Sequence, residues 1–145
     1  MNTVHWLSPG DPTQRTGGYL YNARIVTALR ELGVRAEVHC LEDQWPTGGA
    51  SHSYLLDRIP DSATVVADGL LWTGLRSAER QQLCARTSVW VVVHSLLDKE
   101  GDSEWVTAET DALKQAHGSV ATSSRTARIL AHRLGCSSVP VVIPG

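Results

Sequence analysis

Apolar residues along this chain come in short runs, and between the runs they recur at helical spacing. The runs TVHWL, VRAEVHCL, ATVVADG, TSVWVVVH, GSVATS and VPVVIP are rich in β-branched residues, and every position from Val89 to Val93 is apolar. A strand buried on both faces, as in a parallel sheet, has that uninterrupted character. Between the first two runs, Ile25, Val26, Leu29 and Leu32 predict a helix over Tyr19 to Leu32, and Gly33 stands where a helix-ending glycine belongs. Ser77 is a candidate cap for a helix reaching Arg86. Asp102 or Ser103 would cap another, with Trp105, Ala108, Ala112 and Ala116 along one stripe. Ser123 or Ser124 would cap a last helix, with Ala127, Leu130, Ala131 and Leu134 inward and Gly135 closing it. Glu42 to Ser53, containing DQWPTGG, reads as a long loop. The alternation predicts an α/β domain: a Rossmann-like, doubly wound, mostly parallel sheet of about six or seven strands with helices on both faces.

Open parallel sheets bind ligands beyond the carboxyl ends of their strands, where the strand order reverses. The segments that follow the strands, Ser8–Thr16, Leu41–Gly49, Asp68–Gly74, His94–Asp102 and Thr122–Arg125, are therefore the places to look for a site. The first and fourth strands are expected to flank the reversal. VPVVIPG ends the chain directly after an apolar run, and its Pro-Gly reads as the start of a linker at a domain boundary.

Composition narrows the classes. At 145 residues the chain suits one domain with a proper core, and its formal charge of −2 comes from scattered Lys, Arg, Asp and Glu. No basic stripe points to nucleic acid. The start lacks the pattern of a signal peptide, and no apolar run is long enough to span a bilayer. Cys40, Cys84 and Cys136 are widely spaced, which fits free thiols in a reducing cytoplasm.

The chemistry-bearing residues are few. Gly17 and Gly18 stand between a strand and a helix, yet neither G-x-G-x-x-G nor G-x-x-x-x-G-K-[ST] occurs. Such a pair either lets a phosphate approach the backbone at a helix N-terminus or makes a tight turn. His94 ends an apolar strand, where a lone histidine is either a satisfied strand-end residue or a functional group able to donate and accept near neutral pH. Trp72 is a sugar-stacking platform or a core anchor. Ser123, Ser124 and Arg125 read as a helix cap. His5, His39, His52, His117 and His132 read as surface or packing residues. D-x-D, H-E-x-x-H and clustered Cys and His are missing, so no motif points to a metal, and G-x-S-x-G is missing too.

Taken in order, SPGDPTQRTGGYLYNARIVTALRELGVRAEVHCL, VVVHSLLDKEG, SVATSSRTARILAHRLG and VPVVIPG resemble the N-terminal domain of the retaining GT-B glycosyltransferases of family 4. The resemblance covers nearly the whole chain. It implies a Rossmann-like acceptor-side domain that works with a C-terminal donor-binding domain in cis or in trans, using a UDP- or GDP-sugar and no metal. It also implies that Gly17 and Gly18 approach the diphosphate with Arg15 and Thr16 as auxiliaries, and that His94 lies at the transferred sugar. Asp68, Trp72, Asp98, Lys99 and Glu100 would border a sugar or lipid-linked acceptor. The family often has a His after its third strand, where this chain has Ala67-Asp68-Gly69. The implied location is the cytoplasm, with a weak peripheral contact at the inner membrane face and no nucleic-acid partner. A non-catalytic α/β binding or regulatory module and half of a sugar-nucleotide epimerase are the alternative readings.

Overall fold

The computed structural model describes residues 3–9, 17–41, 52–96 and 103–143. In chain order its elements are β1 (Thr3–Pro9), α1 (Gly17–Glu31), β2 (Arg35–Leu41), α2 (Ser53–Leu56), β3 (Thr64–Asp68), α3 (Gly69–Gly74), α4 (Ser77–Arg86), β4 (Ser88–Val93), α5 (Ser103–Gln115), β5 (Gly118–Ala121) and α6 (Ser124–Leu134). The strands form a five-stranded sheet, ordered β2-β1-β3-β4-β5, in which every pairing is parallel. The architecture is Rossmann-like α/β.

This order moves the reversal point. The chain steps outward from β1 to β2, then returns past β1 to β3, so β1 and β3 flank the reversal. The expectation that the first and fourth strands flank it is corrected, because β3 lies between them. The sixth apolar run contributes one bridge, Ala121 to Val141, with two hydrogen bonds of 2.9 Å around Ala121. Pro140 has no N–H to extend that ladder. Among the described residues the sheet therefore has five strands, not six or seven.

Side chains alternate between the two faces, as the period of a strand requires. One face carries Leu7, Val65, Ala67, Val89, Val91 and Val93, packed with Trp72, Leu83, Leu113 and Leu130 from the helices α3 to α6. The other carries Trp6, Ala36 and Val92 against Tyr21 and Val26 of α1. Helices on both faces explain why Val91, Val92 and Val93 are apolar in succession, whereas Trp90 stays exposed. Burying a side chain of this size contributes about 1.5–3 kcal/mol. Helix ends follow the expected stops: Gly33 and Gly135 have φ of 80° and 68°, and Ser123 accepts from Thr126 N to cap α6. Ser77, expected as a cap, is instead the first helical residue of α4. No helix among the described residues is long and apolar enough to cross a membrane.

Trp90, 39% exposed, lies over Gly118 of the neighbouring strand so closely that an added Cβ would sit 2.3 Å from the indole. Gly118→Ala is expected to displace the ring and cost about 1–3 kcal/mol. In a Trp90→Ala background the same change should cost much less, giving a coupling that urea titration of the four proteins measures. Equal costs in the two backgrounds would show that the glycine matters for another reason.

Candidate functional site

At the carboxyl edge of the sheet three side chains from separate elements meet. Asp68 ends β3, His94 follows β4, and Asn22 projects from the first half of α1. The His94 Nε2 lies 3.2 Å from Asn22 Oδ1 and 3.5 Å from Asp68 Oδ2. The Asn22 amide N–H group donates to the same Asp68 oxygen at 3.4 Å. The other carboxylate oxygen accepts from Leu70 N at 3.0 Å, which caps α3. Gly69 lets the start of α3 lie close against β4: a Cβ there would meet the Val92 carbonyl oxygen at 3.2 Å.

Among the described residues both atoms within reach of Nε2 are acceptors, so the network assigns the proton to Nε2. A neutral ring then presents Nδ1 as an acceptor for a ligand O–H or N–H. Burial lowers the His94 pKa below the ordinary histidine value, and the Asp68 carboxylate opposes that shift without reversing it. The ring is therefore neutral at pH 7. Tyr21 packs edge-on against it, with centroids 4.9 Å apart at 84°, and donates its hydroxyl to the Val142 carbonyl at 3.0 Å. The aromatic edge and the hydrogen bonds together hold the imidazole in one orientation.

A groove of about 410 Å³ adjoins the cluster, sharing Asn22 and running along Trp6, Ser8, Val26, Arg30 and Cys40. Among the described residues the buried Trp6 indole N–H finds no hydrogen-bond partner. α1 begins at Gly17, two positions before the expected Tyr19, so Gly17 and Gly18 belong to its first turn. First-turn N–H groups have no partner within a helix, and they carry the positive end of its dipole.

Of the expected site residues, the fold brings His94 and Asp68 together. Trp72 is not with them. It is fully buried and donates its indole N–H to the Ala112 carbonyl at 2.6 Å, so its ring has no face to offer a sugar. The stacking role is corrected to a core anchor. Arg15, Thr16, Asp98, Lys99 and Glu100 lie outside the described residues. Asn22 escaped the sequence reading, because it lies 72 positions from His94 and belongs to no motif. Away from this cluster, on the opposite face of the sheet, His5, Glu37 and His39 hold three metal-ligating atoms close together. No family model matches the chain, and no curated protein matches it either.

The depressed pKa has a stability consequence with a definite sign. The unfolded chain takes up a proton at His94 near the ordinary value of about 6.5, whereas the folded ring resists protonation until lower pH. The contribution is thus complete above the unfolded pKa and is lost as pH falls through the folded one. Urea unfolding at a series of pH values should show a smaller stability loss on acidification in His94→Gln than in the parent. An NMR titration should place the His94 midpoint below that of a solvated histidine, and Asp68→Asn should lower it further. An upward shift in Asp68→Asn would contradict the arrangement.

Proposed function

We propose that this chain is the N-terminal, acceptor-side half of a retaining two-domain glycosyltransferase of the GT-B architecture, family 4. The observation that carries the reading is the imidazole of His94, kept neutral by burial and oriented by Asn22 and Asp68 at the carboxyl edge of a parallel sheet. A buried ring with one nitrogen committed and one lone pair available suits a sugar hydroxyl, whose O–H it accepts. The first turn of α1 supports the donor side of the reading. Glycines at its start add no side chain between the helix N–H groups and a diphosphate, and the helix dipole favours an anion there. On this reading the segment bridged to the sheet at Val141 leads on to the donor-binding domain.

In the catalytic cycle a UDP- or GDP-sugar would lie between the two domains, its diphosphate toward Gly17 and Gly18 and its sugar toward His94. His94 orients the sugar through a hydroxyl, while Asn22 and Asp68 keep the ring from turning. The two cleft walls exclude water and hold donor and acceptor in register. Asp68 acts as a positioning residue. The enzyme would work in the cytoplasm on a sugar or lipid-linked acceptor, with weak contact to the inner membrane face.

In the two-domain protein, His94→Ala is expected to lower turnover by roughly two orders of magnitude with little change in donor KM, the scale of a lost transition-state hydrogen bond. Gly18→Ala should chiefly raise donor KM, since its methyl crowds the diphosphate approach. Thermal melts separate these effects from unfolding. Calorimetry on the 145-residue chain alone should detect donor binding weaker than low micromolar, because half of the cleft is missing. Wild-type turnover in His94→Ala would remove the histidine from the site. Absence of sugar transfer by the two-domain protein with every donor tried would favour a binding module or an epimerase half instead.

A further inference from the structure

We propose that His5, His39 and Glu37 form a binding site for one divalent cation of the zinc class, on the sheet face opposite to His94. The site follows from strand register. His5 of β1 pairs directly with Glu37 of β2, and Leu7 pairs with His39, so all three side chains emerge from the same face of two adjoining parallel strands. The His5 Nδ1 lies 3.0 Å from His39 Nε2 and 3.8 Å from Glu37 Oε2. One donor atom from each residue falls within 4.8 Å of the other two.

These separations suit one ion. Zinc–nitrogen and zinc–oxygen bonds of about 2.0–2.2 Å at tetrahedral angles put neighbouring donors roughly 3.3–3.5 Å apart. The measured distances straddle that value, so small side-chain rotations bring the three donors onto one centre. The imidazole rings are 5.2 Å apart between centroids and inclined by only 18°. With nitrogens at 3.0 Å, such rings meet edge to edge, with their facing nitrogens on the line between them. A single proton occupies that line in the metal-free pair, since two lone pairs or two N–H groups facing each other would repel. An entering ion takes its place. The ring that held the proton then carries it on the outer nitrogen, and both facing lone pairs coordinate.

The surroundings suit an open site. His5 is buried on β1 and gives a fixed anchor, while His39 is half-buried and Glu37 is exposed on the edge strand. The second Glu37 oxygen faces Arg35 at 3.7 Å, an ion pair whose guanidinium is 68% exposed. Solvent screens such a pair, so it orients the carboxylate without holding it away from an ion. Two imidazoles and one carboxylate leave a fourth position for water or a ligand, and the nitrogen-rich donor set favours zinc, cobalt, nickel or copper over magnesium and calcium.

Zinc binding to the full 145-residue chain, measured in competition with a chromophoric chelator, tests the site. One equivalent is expected to bind, with affinity falling at least about tenfold in Glu37→Gln and about a hundredfold in His39→Gln. Glutamine at position 39 can still hydrogen-bond His5, so the fold should survive, and far-UV circular dichroism and melting check that. Co2+ loaded instead of zinc should give visible d–d bands without thiolate charge transfer, unchanged in Cys40→Ser. Unaltered zinc binding in a folded His39→Gln protein, or its loss in Cys40→Ser alone, would overturn the proposal and leave the histidines as a hydrogen-bonded pair.

Discussion

The carboxylate of Asp68 is nearly buried, and its two oxygens serve different elements. Oδ1 caps the first turn of α3 through Leu70 N, while Oδ2 faces Asn22 of α1 and His94 beyond β4. Removing a charge from water is costly unless hydrogen bonds and nearby positive potential replace the hydration. Here two N–H donors and a histidine N–H do so. Four elements thus depend on one side chain for their relative placement at the carboxyl edge. The opposite end of α3 is fixed by another buried charge: the Arg80 guanidinium donates to the carbonyls of Trp72, Thr73 and Leu75. A six-residue helix with little intrinsic stability is held at both termini, and Trp72 is locked into the core between them.

The two faces of the sheet divide the chemistry. Even-numbered positions at the end of β3 and just beyond β4, Asp68 and His94, project toward α1 and build the polar cluster there. Odd-numbered positions on β1, β3 and β4 supply most of the larger apolar core, until the sheet reaches its β2 edge. At that edge the same face carries His5, Glu37 and His39, and returns to the apolar core at Leu41. Charged and polar residues at an edge strand discourage pairing with other chains, which explains Arg35 and Glu37. It does not explain a buried histidine at His5, whose Nδ1 faces another imidazole and a carboxylate among the described residues. That residue distinguishes a ligand set from ordinary edge protection.

Much of the fold was legible because periodicity reports burial. The strands around Val65, Val91 and Val120 and the helix stops at Gly33 and Gly135 could be read locally. α3 could not: Leu70, Leu71 and Trp72 span less than two turns, too short for a helical period to stand out from an apolar run. Its cap signal, Asp68 before Gly69, was present but was read as ligand chemistry. Trp72 stayed open between a stacking platform and a core anchor, because a local pattern does not distinguish a buried tryptophan from an exposed one. Asn22 and the His5–His39 pair depend on strand order and register, which link positions 72 and 34 apart. No spacing rule within one segment encodes either.

The strand order also decides which group at the edge meets a ligand. Because β3 intervenes between β1 and β4, Asp68 and not His94 stands directly at the reversal point. Its carboxylate is nonetheless consumed by Leu70, Asn22 and His94, and little of it reaches solvent. The side chain of His94 is 22% exposed, and its Nδ1 is uncommitted among the described residues. On the proposed reading, a ligand seated at the reversal would meet the imidazole and the start of α1, and would feel the Asp68 charge through the ring that it orients. The negative charge keeps the proton on Nε2 and so keeps Nδ1 an acceptor. In this way a buried carboxylate sets the hydrogen-bonding sense of the more exposed imidazole beside it.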